Sequence, residues 1–173
     1  MTIARWGLPI LAIALLLFAW AVWLLPWPTA QWALGGVLAL AWLFMVWFFR
    51  NPRRVPASAD PRDLIAPADG VVADVETLHE GEFLGSDAVR IGIFLSVFDV
   101  HVNRSPVAGQ VAYAQHRPGA FLDARDPDAA TDNEANSLGI VVDRAVAPDV
   151  RLLVRQISGL IARRIICTHT VGD

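Results

Sequence analysis

Hydrophobic positions follow two different rules along this chain, and the change falls within a few residues. Over residues 6–25 and 30–49 they are nearly continuous, two runs of 20 residues parted only by Pro26-Trp27-Pro28-Thr29. At 1.5 Å per residue each run is as long as the roughly 30 Å hydrocarbon layer of a bilayer. Prolines remove backbone donors and break helices, so the pattern predicts a helical hairpin with its tip at the gap. Trp23, Trp27 and Trp32 fall where interfacial aromatics belong. Beyond residue 64 the apolar positions come in short runs, 70–75, 89–96, 109–115, 139–143 and 151–157. These are rich in Val and Ile and bounded by Gly, Pro or Asp, as strands are. The expected organisation is a transmembrane helical hairpin over residues 1–49, a linker over 50–63 and a mainly β (α+β) domain over 64–173. Pro52, Pro56 and Pro61 keep the linker extended or turned. Residues 120–135, crowded with aspartates around Pro127, read as a mobile surface loop. Residues 158–166 fit a short helix or a strand equally well.

Charge sharpens this division. Residues 1–49 contain no Asp or Glu, one arginine (Arg5) and all seven tryptophans of the protein. Arg50, Arg53 and Arg54 follow at once, and because positive residues stay cytoplasmic, both hairpin ends are expected on that side of the cell membrane. A cleaved signal peptide does not account for a doubled run with no small-residue cleavage site between its halves. A shallower re-entrant hairpin, with Pro9 and the gap prolines holding both helices at the interface, remains compatible with the pattern. Thirteen of the 14 basic residues and all 17 acidic ones lie after residue 49, a net charge of −4 there, with no basic stripe to suggest a nucleic-acid partner. Every basic residue is arginine, so catalysis through a lysine Schiff base is excluded. The single cysteine, Cys167, forms no intramolecular disulfide and is expected to pack as a small apolar residue. No Cys/His spacing points to a metal site.

Three segments carry polar groups that a plain β domain does not require. Ala66-Pro67-Ala68-Asp69-Gly70 is a tight turn opening a strand. Residues 94–106 run from Phe94-Leu95-Ser96 into Asp99-Val100-His101-Val102-Asn103-Arg104-Ser105-Pro106. The third pairs Pro118-Gly119-Ala120-Phe121 with Asn133-Glu134. Each residue has an ordinary structural reading alone: Asp69 as a turn-former, His101 as a satisfied half-buried imidazole, Asn133 as a cap.

In this order behind a hairpin, the segments resemble the phosphatidylserine decarboxylases, in their short bacterial and archaeal form. The resemblance runs from Phe48 to about Asp173. It rests on Phe48-Phe49-Arg50-Asn51-Pro52, the Pro-Ala-Asp-Gly turn, the Asp-Val-His-Val-Asn-Arg-Ser-Pro run, Asn133-Glu134 and Gly159-Leu160-Ile161-Ala162-Arg163-Arg164. It implies a membrane-bound lyase of phospholipid biosynthesis that removes CO2 from phosphatidylserine to give phosphatidylethanolamine. The implied cofactor is a pyruvoyl group, made when a serine hydroxyl of the zymogen attacks the preceding carbonyl and the chain breaks there. Carried over residue by residue, Asp69 would orient a histidine that deprotonates that serine, and His101 is the histidine assigned. Arg104, His116, Asn133 and Glu134 are the expected substrate-binding residues. Long-form members have a second histidine three residues after the first, where this chain has Arg104.

The family's Gly-Ser cleavage site comes shortly after the segment that resembles residues 163–173, and no serine follows Ser158 here. The expectation is therefore a β domain incomplete at its C-terminus, inactive as given, with the pyruvoyl serine on a cropped segment, on a separate C-terminal small subunit, or lost. Leu84-Gly85-Ser86 mimics a cleavage site but lies between Asp69 and His101, and is expected to be a decoy. The rival reading is a catalytically inactive, membrane-anchored β module that binds lipid headgroups or a partner protein.

Overall fold

The two long apolar runs fold as helices that differ in length. In the computed structural model, which describes residues 2–56, 58 and 60–173, the first elements are β1 (Thr2–Ile3), α1 (Gly7–Trp23), α2 (Pro28–Phe48) and β2 (Arg50–Asn51). Ala57 and Ala59, within the expected linker, lie outside the described residues. Helix α1 has 17 residues, about 25 Å at the helical rise, and not the 20 its apolar run suggests. Trp6 and Leu24 are its caps and Leu25, the residue before Pro26, lies beyond it, while the chain ahead of the helix is held by β1 pairing antiparallel with β2 and by the Ala4 N–H donating to the Phe49 carbonyl at 2.8 Å. Helix α2, with 21 residues and Pro28 in its first turn, is the one described helix long and apolar enough to cross a bilayer by length and composition.

The two helices pack along one another with small residues and few polar contacts. Gly7 sits where a Cβ would come within 2.5 Å of the Phe49 ring, so only glycine admits that ring. The Trp42 indole N–H donates to the Leu11 carbonyl at 3.1 Å, and the Gln31 amide closes the tip by donating to the Leu25 carbonyl at 2.6 Å. No residue of α2 is buried, and Trp32 is 84 % exposed. An apolar exterior of this extent is the pattern of a surface solvated by lipid.

Contacts divide the chain into two units. One comprises Met1–Val55, Pro67–Gly70 and Leu95–Arg104; the other comprises Pro56–Ala66, Val71–Phe94 and Ser105–Asp173. The first is the hairpin with two polar loops attached.

The second is built of strands. β3 (Val71–Glu80) and β4 (Ser86–Phe94) form an antiparallel hairpin in the register Val75↔Ile91. Its turn is held by Glu80, whose carboxylate accepts the backbone N–H groups of Glu82, Phe83 and Leu84 at 2.9, 2.9 and 2.7 Å. Gly85 has φ +64°, which its lack of a side chain permits. Ser86 of Leu84-Gly85-Ser86 is the first residue of β4, paired with Glu80 in a regular ladder.

β5 (Gly109–Arg117), β6 (Ala135–Val142) and β7 (Arg151–Ile157) form an antiparallel sheet with β6 in the middle. Six of the eight β6 residues are buried. Phe83, from the β3–β4 turn, stacks on Tyr113 with ring centroids 5.7 Å apart and covers Gly139. Arg151 donates to the Phe83 and Leu84 carbonyls at 3.1 and 2.7 Å, tying the hairpin turn to the sheet.

All five runs expected to be strands are strands, and the mainly β, α+β architecture behind an apolar helical pair is observed. Two loop expectations change. Residues 120–135 include a helical turn, α3 (Ala129–Asp132), and are anchored by buried Ala129 and Asn133. Residues 158–166 take neither of the expected forms, because Ser158 leaves the sheet and its N–H donates to the Glu134 carbonyl at 2.9 Å. The chain then returns to the edge of β5, where Gly172 donates to Val111 and Val111 to Asp173, both at 2.9 Å.

Candidate functional site

Two of the three polar segments singled out from the sequence join the hairpin unit. The segment after Phe94 turns sharply because the Asp99 carboxylate accepts both the N–H and the hydroxyl of Ser96, each at 2.8 Å. Those bonds, the hydroxyl's foremost, hold the Asp99 carboxyl below its usual range. Val100, 1 % exposed, then pins the chain by its apolar side chain. His101 follows, half-buried against Phe48 with ring centroids 4.4 Å apart.

The state of His101 follows from this setting. Its Nδ1 lies 3.1 Å from the Asp99 carbonyl, which can only accept, so Nδ1 carries the proton and Nε2 keeps its lone pair. Burial pushes the imidazole pKa down, and Arg50 adds to the effect; the Asp99 carbonyl and carboxylate pull upward without cancelling it. A neutral imidazole with a free Nε2 is equipped to take a proton.

Asp69 lies on the turn Pro67–Gly70, where Gly70 has φ +131°. Its carboxylate is paired with Arg54. Among the described residues no hydrogen bond joins Asp69 to His101. The segments are linked instead through Arg104, whose backbone N–H donates to the Pro67 carbonyl at 2.9 Å. The Arg104 guanidinium reaches back to the end of the hairpin, donating to Asn51 Oδ1 at 2.6 Å and to the Pro52 carbonyl at 2.9 Å. Arg50 in turn donates to the Phe98 carbonyl at 2.6 Å and lies over the Trp47 ring at 4.1 Å. Asn103 Oδ1, two residues beyond His101, is buried and has no partner among the described residues.

The third segment belongs to the β unit, and its geometry explains its residues. The Ala120 N–H donates to the Asp132 carbonyl at 2.7 Å and the Glu134 N–H to the Ala120 carbonyl at 3.0 Å. Gly119 must be glycine there, since a Cβ would lie 2.5 Å from the Asn133 carbonyl carbon. Asn133 is fully buried: its amide donates to the Leu122 and Ser158 carbonyls at 3.0 and 2.9 Å and accepts the Leu122 N–H at 2.7 Å. In this arrangement it clamps two loops. Glu134 faces His116, with Oε1 3.2 Å from Nε2. Among the described residues, two buried atoms of this unit, Asn136 Nδ2 and Ser158 Oγ, have no partner.

The structure thus gathers Asp69, His101 and Arg104 in the hairpin unit and His116, Asn133 and Glu134 in the β unit. Sequence reasoning missed Arg54 and Asn51 as partners of Asp69 and Arg104, and Asp99 as the residue that sets the His101 tautomer. The Ser96–Asp99 spacing, a turn-former three residues after a serine, was a signal for the last.

The family described as phosphatidylserine decarboxylase matches residues 42–173, so the match begins inside α2 and takes in both units. A phosphatidylserine decarboxylase proenzyme of Symbiobacterium thermophilum is 44% identical over 171 residues, 99% of this chain and 74% of that protein. One from Carboxydothermus hydrogenoformans is 49% identical over 140 residues, 81% of this chain and 63% of that protein. One from Geotalea uraniireducens is 41% identical over 177 residues, 99% of this chain and 75% of that protein. With the match spanning the hairpin end, both polar loops and the whole β unit, the chain belongs to the phosphatidylserine decarboxylase family of lyases.

Proposed function

We propose that this chain forms the membrane-bound body of a pyruvoyl-dependent enzyme converting phosphatidylserine to phosphatidylethanolamine, with His101 as the base of both self-cleavage and decarboxylation. The observation that carries the reading is the His101 environment: a neutral imidazole, Nδ1 tied to the Asp99 carbonyl, in the unit that also holds the membrane hairpin.

The residues present fit the hydroxyl of the cofactor's serine precursor, a donor that the ketone itself does not offer, in one respect that can be checked. Asn103 Oδ1 is a buried acceptor without a donor in the segment that carries His101, and an unpaired buried acceptor costs stability unless another group supplies an N–H or O–H. When bound, a pyruvoyl group supplies a ketone that bonds the substrate amine and accepts the electron pair left when CO2 departs. His101 Nε2 is the atom that would take the serine proton before cleavage and return a proton to the substrate carbon afterwards. Asp69 would act on this base through the Arg54–Arg104 loops that fix it, as a positioning residue.

No serine follows Ser158 in these 173 residues, and the relatives carry more chain than the aligned part. We place the precursor serine on a further C-terminal segment or small subunit. The outer face of the β3–β4 hairpin supports a missing neighbour, with Val75, Val89 and Ile91 respectively 63%, 65% and 59% exposed. Arg104 in the hairpin unit, and His116 and Glu134 in the β unit, remain the side chains proposed for headgroup contact, with Asn133 holding the loop that carries Glu134. The polar loops are proposed to lie on the cytoplasmic side, because Arg50, Arg53 and Arg54 follow α2 directly.

The test is a version carrying a family-like Gly-Ser tail, judged by the appearance of two fragments on a denaturing gel and by CO2 release from phosphatidylserine. His101→Ala should block scission, Asp69→Ala should slow it strongly, and Ser86→Ala should leave it intact. Scission that survives His101→Ala but not Ser86→Ala would move the nucleophile into the β3–β4 turn and overturn the assignment. A reporter fused after residue 55 should be protected from protease outside the cell; cleavage there would reverse the topology.

A further inference from the structure

We infer that Arg53, Arg54 and Arg104 line a subsite for the phosphodiester of a membrane glycerophospholipid, at the polar end of α2. This rests on the lipid-enzyme reading above and specifies which part of the lipid these residues would hold. A cleft of about 280 Å³ opens here, lined by Thr2, Asn51, Pro52, Arg53, Arg54 and Arg104. A water molecule takes about 30 Å³ of liquid, so a phosphate group fits with room to spare.

The charge of the cleft is one-sided. Three of its six lining residues are arginines and none is a carboxylate. Among the described residues the one acidic partner of these arginines is Asp69, on Arg54. Arg104 is held in place before any ligand arrives, by Asn51 and Pro52 through Nη2 and by Val102 through Nη1 at 3.3 Å. A guanidinium has five N–H donors, so these contacts leave Nε–H and one Nη1 hydrogen free. Arg53 has no hydrogen bond or ion pair among the described residues. Arginine forks match phosphate oxygens two at a time, which separates this reading from a purely topological role, where any positive charge serves.

The source of the phosphate follows from the surroundings. β1 and β2, which contribute Thr2 and Asn51 to the cleft, pair directly at the end of the apolar hairpin. Trp47 lies under Arg50 one turn before the cleft, as an interfacial aromatic does. A diacyl lipid could lay its chains along the exposed apolar flank of α2 with its phosphodiester at the arginines.

The experiment uses the full chain in neutral detergent, titrated calorimetrically with dihexanoyl phosphatidylserine, dihexanoyl phosphatidylglycerol, dihexanoylglycerol and inorganic phosphate. The two phospholipids should bind alike, dihexanoylglycerol not detectably and inorganic phosphate far more weakly. Loss of charge-assisted hydrogen bonds in Arg53→Gln should weaken both phospholipids by roughly tenfold. Arg53→Lys should recover only part of the loss, and Arg62→Gln, a change of the same charge elsewhere, should have no effect. Wild-type affinity in Arg53→Gln, or binding of dihexanoylglycerol equal to that of the phospholipids, would overturn the proposal. Inorganic phosphate binding as tightly as the lipids would make this a free-anion site and overturn its assignment to lipid. Phosphatidylglycerol has no carboxylate to lose, so its titration judges the cleft independently of whether the protein is a decarboxylase.

Discussion

The hairpin unit and the β unit differ in what they expose and in the polar groups they bury. Helix α2 has no buried residue although it is almost wholly apolar, whereas the buried residues of the β unit include Asn133, Asn136, Ser137 and Ser158. The hairpin meets its backbone hydrogen-bonding needs within each helix, so its side chains are free to face a hydrocarbon solvent. The β unit has loops to hold, and it spends buried amides and hydroxyls on backbone groups that no ladder reaches. The lesson is that polarity inside and apolarity outside can be equally native, depending on which backbone groups remain to be paired and on what lies outside.

The sharpest way to break this contrast is Asn133→Ala. It strands two carbonyls and one N–H in a fully buried place, and each unpaired group costs on the order of 1–3 kcal/mol, so the β unit should lose about 3 kcal/mol or more. The check is denaturant unfolding followed by hydrogen exchange at the Leu122 amide. All seven tryptophans lie in residues 1–49, so tryptophan emission should stay unchanged as the β unit melts, and a concerted change would show that the units do not unfold separately.

The corresponding change in the hairpin should be milder. Trp42→Phe removes the indole donor to the Leu11 carbonyl, and interhelical hydrogen bonds in membranes average only about 0.6 kcal/mol. The expected result is a small shift in detergent-induced separation of α1 and α2 with no effect on the β unit. A loss as large as that of Asn133→Ala would remove the distinction drawn between the two solvents.

The smallest effect belongs to pH. His101 has a folded-state pKa below its ordinary 6.5, so between 6.5 and the lower folded value the unfolded chain binds more protons than the folded one. Stability is therefore unaffected by His101 above that window, declines as pH falls through it, and levels off below. Because the ring is only half-buried, the decline should be modest. An NMR titration of the ring should give a midpoint below 6.5 in the hairpin unit, and a midpoint above 6.5 would contradict the burial argument. Phe48→Ala, which uncovers the ring, should move the midpoint back toward 6.5.

Elements were legible wherever composition alone constrains the backbone. The Val- and Ile-rich runs became β3 to β7, with errors confined to their ends: β3 continues to Glu80, five residues beyond the expected 75, because β4 offers partners that far. Helix α1 came out shorter than its apolar run because the run's end residues serve as caps and Leu25 precedes a proline, and the pairing of residues 2–4 with residues far along the chain is a contact that no local pattern announces. The reading of 120–135 as a mobile loop followed its aspartates and overlooked Asn133, which looks polar in sequence and is buried in the fold.

What the sequence determined by itself was the family, the apolar pair of helices, the β character of the rest and the segments that carry chemistry. Each depends on residue type and order within a short stretch, where sterics, hydrophobicity and proline act locally. Tertiary structure alone decided the partners. Arg54 and not His101 pairs with Asp69, Arg104 spans 53 positions to reach Asn51, and the Asp99 carbonyl sets the proton on His101. Such contacts are chosen by which groups the packed chain leaves unsatisfied within hydrogen-bonding reach, and that depends on every turn in between.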